Sequence, residues 1–167
     1  MATILMIDDD RDLVATMKIL LEAHGYEFLS MPNGEAGLRA VREVCPDLIV
    51  LDVMMDRYTE GFRVSQLIRD QSDDSPYAAC RNVPILALTS IHRTTPHRFG
   101  PNLDALPVDA FLEKPVPHDQ LLTTIAELLA KGAARRSTGV ASHRAKCDDA
   151  RGDPRLAADA TLAIISG

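Results

Sequence analysis

The chain has 167 residues, enough for one domain and a remainder, and 46% of them are hydrophobic with 4% aromatic and no Trp, so the core must be built from Val, Ile, Leu, Met and Ala. With 24 Asp+Glu against 18 Lys+Arg the net charge is -6, which argues against a chain that holds nucleic acid through bulk positive charge. The charge is uneven: residues 1–132 carry 12 Lys+Arg and 20 Asp+Glu, whereas residues 133–167 carry 6 and 4.

Residues 2–7, ATILMI, read as a buried strand that runs straight into three adjacent carboxylates, Asp8, Asp9 and Asp10. The start of the chain has no charged n-region and only this short apolar run, so no signal peptide is expected. Leu13, Val14, Met17, Leu20 and Leu21 then recur at helical spacing until Gly25, with Asp10 and Asp12 suited to cap that helix. YEFLSM (26–31) is a second strand. A turn at PNG leads into a helix from about Glu35 to Val44, with a glycine near its start.

PDLIVLD carries a third strand, apolar from Leu48 to Leu51 and closed by Asp52. GFRVSQLIRD (61–70) is helical, and after the polar loop QSDDSPYAACRN comes a fourth strand, VPILALTS, ending in Thr89 and Ser90. Residues 91–107, rich in Pro, His and Arg, read as loop around one short fourth helix. VDAFLEKP supplies a fifth strand ending in Lys114 before Pro115, and HDQLLTTIAELLAK the last helix.

Strands alternating with helices imply a doubly wound α/β domain: a five-stranded parallel sheet with helices on both faces. No apolar stretch approaches the ~18 residues of a membrane helix. Cys45, Cys80 and Cys147 are odd in number and lack a CxxC, so reduced thiols in a cytoplasmic protein are expected. Beyond Lys131 large apolar residues become sparse; residues 1–132 are therefore expected to form the domain and 133–167 a flexible tail.

In an open parallel sheet ligands bind beyond the carboxyl ends of the strands. Those ends carry Asp8, Asp9, Asp52, Thr89 and Lys114. Clustered carboxylates repel, but a divalent cation makes them favourable, and hard oxygen donors at strand ends suit Mg²⁺. Asp52 is then a candidate nucleophile for phosphoryl transfer, with Mg²⁺, the Thr89 hydroxyl and the Lys114 ammonium as partners for the phosphoryl oxygens.

With IDDD after strand one, DLIVLDVMM around strand three, LTS closing strand four and EKPV closing strand five, the chain resembles the receiver domain of two-component response regulators over about residues 2–131. The resemblance implies the flavodoxin-like strand order 2-1-3-4-5 and a stand-alone signalling switch rather than a turnover enzyme. It implies Asp52 as phosphoacceptor, Asp8, Asp9 and Asp52 with the Met54 carbonyl as Mg²⁺ ligands, Thr89 and Lys114 on the phosphoryl group, and Thr89 and Phe111 as switch residues. Its implied partners are a sensor histidine kinase or histidine phosphotransfer protein and a downstream protein, with a dimer through the face of the fourth helix and fifth strand. No nucleic-acid or membrane partner is expected.

The sequence departs from the family where DRYTEGF replaces the usual Pro and Gly after DVMM, and in two lengthened loops. Met54 and Ile91, two residues beyond Asp52 and Thr89, are apolar and suited to shield an acyl phosphate from water. Two other readings remain at this stage. One is a phosphohydrolase of the haloacid dehalogenase type, with Asp8 as nucleophile and Asp10 as second acid; the other is a degenerate receiver that binds partners without phosphorylation.

Overall fold

The apolar runs become the strands, and the alternation of their side chains decides how the helices are shared between the two faces. The computed structural model describes residues 1–55, 60–90 and 106–138. In chain order these form β1 (Thr3–Ile7), α1 (Arg11–Ala23), β2 (Glu27–Met31), α2 (Gly34–Val44), β3 (Leu48–Asp52), α3 (Glu60–Ile68), β4 (Ile85–Thr89), β5 (Ala110–Glu113) and α4 (His118–Thr138), with a turn of 3-10 helix at Ala78–Cys80. All strand pairs are parallel, in the order β2-β1-β3-β4-β5.

The three central strands are buried at every position and the outer two only in part. Successive residues of a strand point to opposite faces. Ile4, Met6, Leu48, Val50, Leu86 and Leu88 therefore meet Met17 and Leu21 of α1 and Leu121, Ile125 and Leu128 of α4. Leu5, Ile7, Ile49, Leu51 and Ile85 meet Ala40 and Val41 of α2 and Val64 and Ile68 of α3. A sheet covered on both faces needs apolar residues at both parities, so its strands read as continuous rather than alternating runs.

The helix ends follow local chemistry. Asp10 caps α1, its carboxylate accepting from the amides of Asp12 and Leu13 at 3.0 and 3.1 Å. Gly25 follows at φ 79, the left-handed conformation that ends helices and that a side chain would strain. Asn33 caps α2 through Ala36 N at 2.9 Å. Residue Gly34 opens that helix and donates its amide to Glu60 Oε1 at 2.7 Å, so α3 helps to cap α2.

The expected boundary at residue 132 needs adjusting. The last helix does not stop at Lys131 but continues to Thr138. Two causes are visible: Ala133 and Ala134 favour helix, and Arg135 Nη1 reaches Asp109 Oδ1 at 2.7 Å. The rest of the expected tail, 139–167, lies outside the described residues, as do the segment 56–59, Ile91 and the short fourth helix sought within 91–107, up to residue 105.

Asp109 is a junction at the amino edge of the sheet. Its Oδ2 accepts from Arg69 Nη2 at 2.6 Å and from the Ile85 amide at 2.9 Å, while Arg69 Nη1 reaches the carbonyls of Arg81 and Val83 at 2.5 and 2.8 Å. Burial lowers the Arg69 pKa and the Asp109 charge opposes that, so the pair answers its own desolvation. Asp109→Asn is expected to cost about 2 kcal/mol in urea unfolding, because a mostly buried guanidinium loses its counter-charge. An unchanged midpoint would show that the carbonyls alone hold Arg69.

Candidate functional site

The carboxyl edge of the sheet gathers the residues picked out at the strand ends. Asp8 follows β1, held by its own amide on Met31 O at 3.1 Å, and its Oδ1 accepts from Asp10 N at 2.9 Å. Asp52 closes β3, its Oδ1 accepting from Met54 N at 2.9 Å. Thr89 closes β4 and is buried, and its carbonyl accepts from Lys114 N at 2.8 Å, which carries the pairing of β4 and β5 up to the site.

Lys114 reaches back over this edge. Its Nζ lies 2.9 Å from Asp8 Oδ2 and 3.1 Å from Asp52 Oδ2. The Lys114–Pro115 peptide is cis, and Pro115 leads on to α4. The side chains of Asp8 and Asp52 are 0% and 5% exposed, so this is an ion triad largely out of water rather than a surface contact. Burial pushes the Asp8 carboxyl above its ordinary value against the hydrogen bond and charge of Lys114. Burial pulls Lys114 the other way, but the hydrogen bond to Asp8 and the charges of Asp52 and Asp8 outweigh it and hold its pKa above the ordinary lysine value.

Asp9 is exposed, and one carboxylate oxygen from each of Asp8, Asp9 and Asp52 lies within 4.8 Å of the others. Three carboxylates against one ammonium leave two negative charges unmatched, which is the charge of one divalent cation. Hard oxygen donors at this spacing suit Mg²⁺, which takes few protein ligands and keeps its waters. The residues present fit the ion.

Phe111 stands opposite Ala87 in the register of β4 and β5. It is half-buried against Val53, Ala87 and Leu106, beside Met54 and Phe62. That cluster adjoins the end of β3, so an aromatic ring sits next to the segment that follows Asp52.

Sequence reading missed two supports of this edge. A Cβ on Gly61 would stand 2.5 Å from the Asp52 carbonyl oxygen and 2.8 Å from Val53 Cα, so α3 packs directly on the backbone that carries Asp52. Glu60, one residue earlier, ties α3 to Gly34. The TEGF segment was the only signal for either, and it gives no clue to a partner distant in sequence.

A doubly wound parallel sheet with three carboxylates and a lysine converging at its carboxyl edge defines a receiver module. A family model, the response regulator receiver domain, matches residues 4–126. The chain belongs to that family. It is 30% identical to protein PilH of Pseudomonas aeruginosa over 130 residues, which cover 78% of this chain and 99% of PilH. It is 35% identical to the response regulator MprA of Mycobacterium leprae over 126 residues, but spans about half the length of that relative (50%). Among solved structures, a putative response regulator from Chloroflexus aurantiacus is similar at 26% identity with a TM-score of 0.61, over 77% of this chain and 98% of that one. A CheY-like receiver domain protein from Methanospirillum hungatei shares the fold at 21% identity and a TM-score of 0.64, over 81% and 98%. No helix among the described residues is long and apolar enough to cross a membrane.

Proposed function

We propose that the chain is a stand-alone, cytoplasmic receiver that accepts a phosphoryl group on Asp52 from the phosphohistidine of a sensor histidine kinase or histidine phosphotransfer protein. The observation that carries this reading is Lys114 Nζ placed on both Asp8 and Asp52, with Asp9 alongside. A buried carboxylate with a fixed ammonium and a divalent site beside it is what in-line phosphoryl transfer needs.

Asp8, Asp9, Asp52 and the Met54 carbonyl would hold Mg²⁺. When bound, it neutralises charge on the transferred oxygens. The Met54 amide fixes the plane of the Asp52 carboxylate through Oδ1. An Asp52 oxygen attacks phosphorus, the bond from phosphorus to the imidazole nitrogen breaks, and the imidazole leaves with a proton from solvent. Lys114 exchanges its carboxylate partners for a phosphoryl oxygen, and the Thr89 hydroxyl donates to another. The product is an acyl phosphate on Asp52.

The added charge then draws Thr89 inward and lets Phe111 bury further, which changes the face around β4 and β5 that a downstream protein or a second copy reads. A haloacid dehalogenase reading is less well supported, because the Asp10 carboxylate is spent on the amides of Asp12 and Leu13 instead of serving as a free second acid.

The test is incubation with acetyl phosphate and Mg²⁺, followed by mass spectrometry. One phosphoryl group on Asp52 is expected, absent in Asp52→Asn and absent with EDTA. Label on Asp8 with continuous phosphate release would favour the hydrolase. No label from acetyl phosphate or from a histidine kinase would leave a receiver that binds partners without phosphorylation.

A further inference from the structure

The three cysteines are scattered in the sequence, yet the fold brings two of them together. Cys45 Sγ and Cys80 Sγ lie 3.1 Å apart although 35 positions separate them. Both are free thiols. Cys80 is 2% exposed among the apolar residues that pack α2 and α3 on the sheet, and its Sγ lies 3.4 Å from Val41 O. Cys45 is partly exposed, so one thiol of the pair is open to a small reagent.

The residue type at position 45 needs its own explanation. Cys45 ends α2 in the left-handed conformation, φ 47 and ψ 70. That position favours Gly or Asn, because a side chain there crowds the carbonyl. Cysteine brings nothing to a helix end, so what it adds is the sulfur, placed over Cys80.

We propose that Cys45 and Cys80 are a modification site: a vicinal dithiol that a peroxide converts into a reversible disulfide. The thiolate of Cys45 attacks the peroxide O–O bond and becomes a sulfenic acid, and water leaves once the departing oxygen is protonated. Cys80 attacks that sulfur, the S–O bond breaks, the S–S bond forms and a second water leaves. Two thiols and one hydrogen peroxide thus give one disulfide and two waters, and a dithiol reductant reverses the change.

The bond would join the end of α2 to the loop that feeds β4. Both lie at the amino edge of the sheet, opposite Asp8, Asp52 and Lys114, so the modification is independent of phosphorylation at the other edge. It closes a loop of 35 positions in the unfolded chain, and the oxidised form should melt roughly 5–10 °C higher.

The test treats the full chain with hydrogen peroxide, blocks remaining thiols with N-ethylmaleimide, digests without reductant and reads the peptides by mass spectrometry. The expected product is a Cys45–Cys80 cross-linked peptide lighter by two hydrogens than its parts, lost with dithiothreitol and formed equally in Cys147→Ser. In Cys80→Ser the sulfenic acid should persist on Cys45 and react with dimedone. Full alkylation of both thiols after oxidation, a bridge through Cys147, or a cross-linked chain that melts no higher than the reduced one would each overturn the proposal.

Discussion

Lys114→Ala should unfold at lower urea than the parent by about 3 kcal/mol without metal, and Mg²⁺ should restore much of that loss. The reason is charge left behind. Lys114 is the ammonium within 3.1 Å of both buried carboxylates, Asp8 and Asp52. Without it two like charges face each other in a site with little water, and breaking one partner of such a set costs far more than the set contributes intact. Asp8 escapes by binding a proton, and this gives the effect a pH signature. Its folded pKa already lies above the ordinary value, because burial outweighs Lys114.

For a carboxyl shifted up, the folded state holds the proton more tightly than the unfolded one. The group therefore disfavours folding above the unfolded pKa, increasingly as pH rises towards the folded pKa. Deleting Lys114 removes the influences that lower Asp8 and widens that window. The gap between parent and variant should thus shrink towards pH 4 and be largest near pH 7. Lys114 works the other way: its pKa is raised, so its contribution is complete below the ordinary lysine value and fades as pH climbs through the folded one. In the variant Mg²⁺ no longer competes with an ammonium, and we expect about tenfold tighter binding by titration calorimetry. A gap that stays constant with pH, or an Mg²⁺ affinity that falls, would mean that Lys114 does not balance this site.

Much of that site was legible from sequence because its residues are punctuation. Asp8, Asp52, Thr89 and Lys114 each stand where an apolar run stops, and a parallel sheet puts all such stops on one edge. Three central strands buried on both faces made the runs continuous and easy to read; the thinner β2 and β5, half-exposed at the rims, were read a few residues too long. What stayed hidden depends on pairs distant along the chain. Nothing near Arg135 announces that Asp109 will hold it and so lengthen α4. Cys45 and Cys80 look unrelated until α2 and the loop before β4 pack together. Local pattern carries the periodicity and the caps, such as Asp10 on α1, but not which loops meet.

The pocket edge also depends on a residue with no side chain, and this yields the second large effect. Gly61→Ala should lower stability by about 3 kcal/mol and the melting point by roughly 10 °C. Helix propensity alone gives the opposite sign, since alanine in place of glycine within a helix such as α3 gains about 1 kcal/mol. Space decides the matter. The new methyl would meet the Asp52 carbonyl oxygen at 2.5 Å, Val53 Cα at 2.8 Å and Val53 O at 3.2 Å. All three are backbone atoms of a strand end fixed by its neighbours, with Val53 N bonded to Leu88 O at 3.0 Å, so no rotamer relieves the contact. Either α3 withdraws and loosens Val64 and Ile68 from the core, or the end of β3 moves and takes Asp52 with it. The two responses separate experimentally. If α3 gives way, thermal melting shows the loss while phosphoryl uptake by the folded fraction holds; if β3 gives way, uptake falls by an order of magnitude or more at temperatures where the variant is still folded, because misplacing a nucleophile by about 1 Å is worth about a hundredfold. A variant as stable as the parent, or more so, would mean that propensity wins and that α3 does not rest on the backbone beneath the phosphoacceptor.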